Sequence, residues 1–380
     1  MFLKNKISNN FSFVYFSIFV VIGINAPFWP LWLSYKGFDH RDIAIILSCS
    51  VLIKLFSNPF FAGIGDKYGD RRLPMFFLSI ITILLLFSLN FINSLFFISL
   101  VAITSWAMFA PLMPLTESLT TTAIKKYKFD YGKTRLWGSI SFILAAFFIG
   151  IFIDRKGISY IPLLMTLGTI LVFISICNIP KIKSLPSRHN ISIYSLLSNR
   201  SFLPFLLACG AIQSSHGMYY GFSSIYWKSI GINESIIGGL WAEAVIFEII
   251  LLAFFSKIKN LFNSNYFIIF AGLLATIRWI LMVYADNIIF ISITQVLHAF
   301  SFGLTHISAI YFISEIMPSR AQAKCQALYS AISMGAFLAL SIAFSGDLYR
   351  HMYNKAFFFS ALLALAGVII ATWFIKIKKS

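Results

Sequence analysis

Apolar blocks follow one another along this chain with only short polar interruptions. They cover 11–35, 41–64, 74–93, 95–122, 135–154, 159–179, 201–227, 233–256, 265–285, 288–316, 324–346 and 355–375. Each is about twenty residues or longer, the length a helix needs to cross roughly 30 Å of hydrocarbon. Helices are predicted because a lipid-facing backbone must satisfy its own hydrogen bonds. Strands of a membrane barrel would run to about ten residues and alternate in polarity, and these blocks do neither. The pattern therefore predicts an all-α integral membrane protein with twelve transmembrane helices. The longest polar connection, Lys181 to Arg200, carries Pro186, Arg188 and His189. It divides the chain into six-helix halves, 1–180 and 201–380, joined by a linker at 181–200.

Composition sharpens this reading. Of 380 residues, 59% are hydrophobic and 11% charged, against about 25% charged in soluble domains; mean hydropathy is +0.85. The net charge of +17 raises the question of a nucleic-acid partner, which its distribution answers. If the N-terminus is cytoplasmic, loops and tails on that side carry 21 Lys and Arg and the opposite loops carry 7. That asymmetry is the positive-inside pattern. It places both termini and the linker in the cytoplasm and explains the basic balance without nucleic acid. Four scattered cysteines, Cys49, Cys177, Cys209 and Cys325, form no metal or disulfide pattern, so no metal or cofactor is expected. No HExxH, phosphate-binding loop or nucleophile elbow is present, which argues against a membrane-embedded enzyme. Asp66 and Asp70 are the nearest approach to an acidic pair, and Arg71 and Arg72 follow at once.

Ionisable residues inside apolar blocks are the candidate chemistry. Glu117 sits near the end of the fourth block, and a charge there costs about 2.5–3.5 kcal/mol on insertion scales. Arg135 opens the next block eighteen residues later. Pro111 and Pro114 interrupt the helix one turn before Glu117, and Pro27 and Pro30 bracket Phe28-Trp29 in the first block; each removes an internal hydrogen bond and favours a kink. Lys54 is a lone cation deep in the second block. Arg278 and His298 fall at similar depth in antiparallel neighbours, and His298, Ser301 and Thr305 share a helical face with His306 close to it. Glu243 and Glu248 are five residues apart, about 140° around a helix. They cannot both face one cavity well, and periodicity does not choose between them. Acid, guanidinium and imidazoles in one half make a proton relay, since histidine titrates near neutrality.

Several segments resemble known transporters. Gly65-Asp66-Lys67-Tyr68-Gly69-Asp70-Arg71-Arg72 resembles the charged loop of major facilitators, with Ala62 where that pattern begins with glycine. The resemblance makes Asp66, Arg71 and Arg72 a conformational latch on the cytoplasmic side. Asp130-Tyr131-Gly132-Lys133-Thr134-Arg135-Leu136-Trp137-Gly138 resembles the corresponding segment of the lactose permeases. It implies that Glu117 and Arg135 bind substrate and that Phe142, seven residues after the arginine, stacks on it. Arg278 and His298 match the same group in type and separation. The proton-carrying acid of that pattern is replaced by Ser301, so coupling must use another group.

Over nearly its full length the chain is similar to the 3-phenylpropionic acid transporter branch of the major facilitator superfamily, relatives of oligosaccharide and nucleoside proton symporters. Pro27-Phe28-Trp29, Pro111 through Leu119, Phe129 through Ser139, Tyr219 through Trp227 and Gln326 through Ala331 carry the similarity. It implies the two-half major facilitator fold in a bacterial inner membrane, with substrate at the midplane. It also implies proton-coupled import of an aromatic monocarboxylate, held by Lys54, Arg135 or Arg278 and stacked on Phe142 or Trp137. The branch favours Glu248 over Glu243, so Glu248, Arg278, His298 and His306 are the expected coupling residues. The expected partners are a small-molecule substrate, H⁺ and the bilayer, with a monomer as the working unit. A nucleoside or oligosaccharide symporter of the same fold is the alternative, and a membrane enzyme a remote one.

Overall fold

The computed structural model describes residues 2–182, 192–259 and 261–374. Lys183, Pro186, Arg188 and His189 of the expected linker, and Lys376, Lys378 and Lys379 of the basic tail, lie outside the described residues. Among the described residues the chain is helical, with no strand. Among the described residues, nine helices are long and apolar enough to cross a membrane.

The difference from the twelve expected blocks has identifiable causes. The third block forms a shorter apolar helix, Arg72–Ser88. The seventh is broken at Ser215 and His216 into Phe202–Ser214 and Gly217–Ser229. The last two fall in one run, Ser319–Trp373, interrupted by a 3₁₀ turn at Tyr353–Ala356 in which Tyr353 has φ +52°.

In chain order the helices are α1 (Phe2–Tyr35), α2 (His40–Leu52), α3 (Lys54–Tyr68), α4 (Arg72–Ser88), α5 (Leu95–Phe109), α6 (Leu112–Tyr127), α7 (Tyr131–Lys156) and α8 (Ile161–Cys177). There follow α9 (Ile193–Leu197), α10 (Phe202–Ser214), α11 (Gly217–Ser229), α12 (Glu234–Ile258), α13 (Ser264–Val283) and α14 (Ile288–Val296). The chain ends with α15 (Thr305–Ile316), α16 (Ser319–Ala331), α17 (Phe337–Met352) and α18 (Phe357–Phe374). Two π-helical segments, Ala299–Leu304 and Ile332–Ala336, join α14 to α15 and α16 to α17. Such insertions recur at functional sites.

The helices form two compact units. The first comprises the described residues of Met1–Asp39, Leu52–Ser187 and Asn233–Ala242. Here α1 packs along α7 and α8, and α4 along α5 and α8. In lipid, helices associate through close backbone approach rather than apolar burial, so small residues mark the contacts. Gly23 is one: a Cβ there would stand 2.8 Å from the Phe142 carbonyl oxygen. The second unit comprises the described residues of His40–Val51, Arg188–Ile232 and Glu243–Ser380. In it α18 packs on α10 and α13, and α11 on α17, where a Cβ on Gly217 would meet the Ser341 hydroxyl at 2.5 Å.

Candidate functional site

In the first unit, the segment after Asp130 builds its site through backbone chemistry. Asp130 takes extended φ/ψ and its Oδ1 accepts from the Lys133 amide at 2.9 Å, capping α7. The cap leaves Tyr131 in the first turn and Arg135 one turn on. Both reach Glu117 on α6: the Tyr131 hydroxyl donates to Oε2 at 2.9 Å, and Arg135 Nε lies 3.4 Å from Oε1. The guanidinium also lies over the Phe19 ring at 4.3 Å and the Tyr15 ring at 5.4 Å. Gly138 keeps this face clear, since a Cβ there would stand 2.9 Å from both the Arg135 side chain and the Phe19 ring. Arg135 is 29% and Glu117 30% exposed, so the pair is not sealed inside this unit.

The other residues expected around this pair distribute unevenly. Phe142 lies two turns below Arg135 on the same helical face and is buried against α1. Trp137 is about 200° from Arg135 around α7, half exposed, and pairs with Phe16 at 6.5 Å over a groove of about 430 Å³. The structure does not bring it to Glu117. Lys54 begins α3 after a break in the helix at Ile53, and its Nζ lies 5.6 Å from the Trp106 ring.

The charged loop between α3 and α4 is closed by its own backbone. Gly69 takes the left-handed φ +64° that ends α3, and the Asp70 amide donates to the Gly65 carbonyl, the αL termination that glycine favours. Arg71 then folds back on Asp66, with Nε donating at 2.8 Å. Arg72 donates to the Ile179 carbonyl beyond α8 at 2.9 Å, and Lys181 Nζ stands 4.0 Å from Asp70. Asp66, Arg71 and Arg72 thus tie α3, α4 and the chain after α8 together.

The second unit holds a separate buried polar cluster. Arg278 on α13 is fully buried, its guanidinium between the rings of Trp279 (4.3 Å) and Tyr219 (4.5 Å). Nε donates to the Thr294 carbonyl at 2.9 Å and one terminal nitrogen to Ser301 at 3.0 Å; the other has no hydrogen-bond partner. Among the described residues Arg278 makes no ion pair. Ser301 also meets His216 Nε2 at 3.1 Å, while His216 Nδ1 faces the Gln213 carbonyl at 3.2 Å. A neutral imidazole with its proton on Nδ1 satisfies both contacts, a tautomer assigned from the network.

His298 is 6% exposed with Nδ1 unpartnered and stacks on Phe302 at 5.4 Å. Phe302 in turn lies 6.3 Å from His306, whose Nδ1 is 3.5 Å from the Tyr329 hydroxyl. A phenyl ring, which has no exchangeable proton to pass on, therefore separates the two histidines. Glu243 accepts from the Ser292 hydroxyl at 2.7 Å. Glu248 lies against the π-helical segment, where a Cβ on Gly303 would stand 3.0 Å from its Cγ.

Comparison with known proteins follows from this geometry. A family model described as the MFS_1 like family matches residues 9–361. The chain is 29% identical over 366 residues to a protein of Escherichia coli (strain K12) named "Probable 3-phenylpropionic acid transporter", covering 94% of this chain and 95% of that one. It is 21% identical to the raffinose permease of Escherichia coli, covering 96% of this chain and 91% of the permease. In fold it resembles a crystal structure of a mutant of the nucleoside transporter NupG, with a TM-score of 0.85 at 14% identity over 97% of this chain and all of that one. A D-xylose-proton symporter gives a TM-score of 0.74 at 11% identity, covering 99% of this chain and 98% of the symporter.

Proposed function

The chain belongs to the MFS_1 like family and is a multi-pass membrane transporter, and on that premise we propose that it imports a small aromatic monocarboxylate together with H⁺. Twelve spans in two six-helix halves, both termini cytoplasmic and a monomeric working unit belong to this reading. The observation that carries it is the Glu117–Arg135–Tyr131 cluster, an ion pair with a phenol on it, part exposed within apolar helices. A fold maintains charge at such depth where the charge has a task. The name of the Escherichia coli relative supports the substrate class. Phe142, buried on the face of Arg135, is the ring assigned to stack on such an acid when binding uncovers it. Glu248, together with Arg278, His298 and His306 of the same unit, is the group assigned to the proton, and the Asp66–Arg71–Arg72 contacts serve as the latch.

The test is uptake of labelled 3-phenylpropionate into proteoliposomes under an imposed proton gradient. Uphill accumulation that collapses with a protonophore is expected. Accumulation that ignores the protonophore removes the coupling; no accumulation of the acid removes the substrate. A second reading, a symporter of nucleosides or oligosaccharides, draws on the NupG and raffinose permease similarities, and on the fact that a carboxylate, a guanidinium and a phenol can bind hydroxyls. Competition of uptake by uridine or raffinose, and not by the aromatic acid, would favour it.

A further inference from the structure

Trp106, whose ring lies 5.6 Å from the Lys54 ammonium, also lines a small cavity in the first unit that nothing above accounts for. The cavity is about 10 Å³, roughly the room one water needs. Asn25 and Trp29 of α1, Thr82 of α4, and Ser105 and Trp106 of α5 line it. The two hydroxyls are occupied as donors within their own helices, Thr82 to the Leu78 carbonyl and Ser105 to the Ala102 carbonyl. The nitrogens are not. Asn25 Nδ2 and Trp29 Nε1 are shielded from solvent and make no hydrogen bond, and Trp29 as a whole is 2% exposed. Trp106 carries the ammonium of Lys54 on its ring at 5.6 Å. Among the described residues no acid pairs with Lys54.

We propose that this cluster is the carboxylate subsite: Lys54, Asn25 and Trp29 converge on one carboxylate group of the transported acid. The proposal rests on the monocarboxylate reading above and deepens it. An ammonium, an amide N–H and an indole N–H are all donors, so the ligand group they suit is an acceptor, and a cation at this depth selects an anionic one. Unmade donors and an unpaired cation in apolar surroundings are costs the fold carries unless a ligand relieves them. The other interior cation of this unit is already served, since Arg135 has Glu117 and two ring faces. Arg278 in the second unit is fully enclosed and keeps a single nitrogen unpartnered. The cavity has room for one carboxylate oxygen in the place of a water, with the rest of the group at its mouth beside Trp106 and Lys54. Asn25, Trp106 and Lys54 are each partly exposed, which leaves a side through which the remainder of the molecule extends. Two aromatic platforms border that end, the Trp29–Trp32 stack at 4.8 Å and the Trp106–Phe109 pair at 5.1 Å.

The experiment is calorimetric binding to the full chain in nanodiscs of two probes, 3-phenylpropionate and its neutral analogue 3-phenylpropionamide. Wild type, Lys54→Gln, Lys54→Arg and Asn25→Leu are compared. The wild type is expected to prefer the acid. Lys54→Gln is expected to weaken the acid about tenfold or more and leave the amide unchanged, the size of a lost charge-assisted hydrogen bond. Asn25→Leu moves in the same direction by less, and Lys54→Arg keeps most of the preference. A monodisperse elution profile and a thermal unfolding midpoint matching wild type show that each variant is folded. If the wild type prefers the acid and both Lys54→Gln and Asn25→Leu retain that preference, the subsite is wrong while the monocarboxylate reading stands. If the wild type shows no preference for the acid, both fall.

Discussion

The Glu117–Arg135 pair supports a prediction whose size follows from its geometry. At 3.4 Å two unit charges attract by about 5 kcal/mol in a medium of effective dielectric constant 20, and by about 1 kcal/mol in water. The pair is nearly one-third exposed, so solvent screening pulls the net value toward the lower figure, about 1–2 kcal/mol. Glu117→Gln removes the charge and keeps the shape; Arg135→Gln removes the other. In a double-mutant cycle, measured by reversible denaturation in mixed micelles, the two should couple by about that 1–2 kcal/mol, beyond the few tenths expected of independent sites. Each single change should also cut uptake at least tenfold, because each leaves the remaining partner facing the ligand without its counter-charge. The same cycle with Trp137→Ala in place of Arg135→Gln should show no coupling, since Trp137 lies on the other side of α7. Additive effects of Glu117→Gln and Arg135→Gln, with uptake retained in both, would refute the argument that the pair acts as one binding element.

Glu248→Gln should abolish protonophore-sensitive accumulation while leaving counterflow of labelled substrate intact, whereas Glu243→Gln should leave accumulation standing; the reverse result would move the proton to Glu243. Gly238→Val should lower the apparent melting temperature sharply, because a Cβ there meets the Ala146 carbonyl oxygen at 2.1 Å. Gly239→Ala, with nothing within 4 Å of its Cβ, should be neutral in the same thermal scan. Asp130→Ala should cost about 1 kcal/mol through loss of the α7 cap, with Asp130→Ser recovering most of it; equal loss in both would mean that the carboxylate acts through its charge instead.

What could be read from the residues in order was mostly local. The acid–aromatic–glycine segment at Asp130 is legible because each of its parts acts within a turn or two: a cap, a first-turn phenol, an arginine one turn later. The spacing of Glu117 and Arg135 is legible because a short turn joins their helices. The all-helical, apolar character of the chain was legible too, and the breaks that turn twelve blocks into nine long helices among the described residues, such as that at Ser215 and His216, were not, since an apolar run gives no sign of where its hydrogen bonds lapse. Contacts made across long stretches of chain were hidden. Tyr15 and Phe19 come to Arg135 from a helix more than a hundred residues earlier, and His216 meets Ser301 at a separation of 85 residues. Membrane helices deny the reader the usual guide, because an apolar residue suits either lipid or a neighbouring helix and both faces read alike. For the same reason Asn25 carried no signal, and Trp29 none beyond its place in Pro27-Phe28-Trp29: a polar group in an apolar block becomes informative only when its partners, or their lack, are seen.

The buried cluster around Arg278 shows how one altered position changes what a proton relay can be built from. Where the permease pattern has an acid, Ser301 presents a hydroxyl, which accepts from the Arg278 guanidinium and meets His216. A hydroxyl supplies hydrogen bonds and no charge, so the cation stays unneutralised by any ion pair among the described residues. The two rings flanking the guanidinium offset part of that cost through their negative faces, and Ser301 and the Thr294 carbonyl take two of its donors. This arrangement holds the arginine without needing a carboxylate to be ionised beside it. Gly303 gives Glu248 room against the π-helical segment rather than a side chain to press on. A carboxyl group that is not required to neutralise a fixed cation can gain and lose a proton without unbalancing the cluster. On the proposed reading the holding of Arg278 falls to Ser301 and the Thr294 carbonyl, and the carrying of a proton, a separable task, to Glu248.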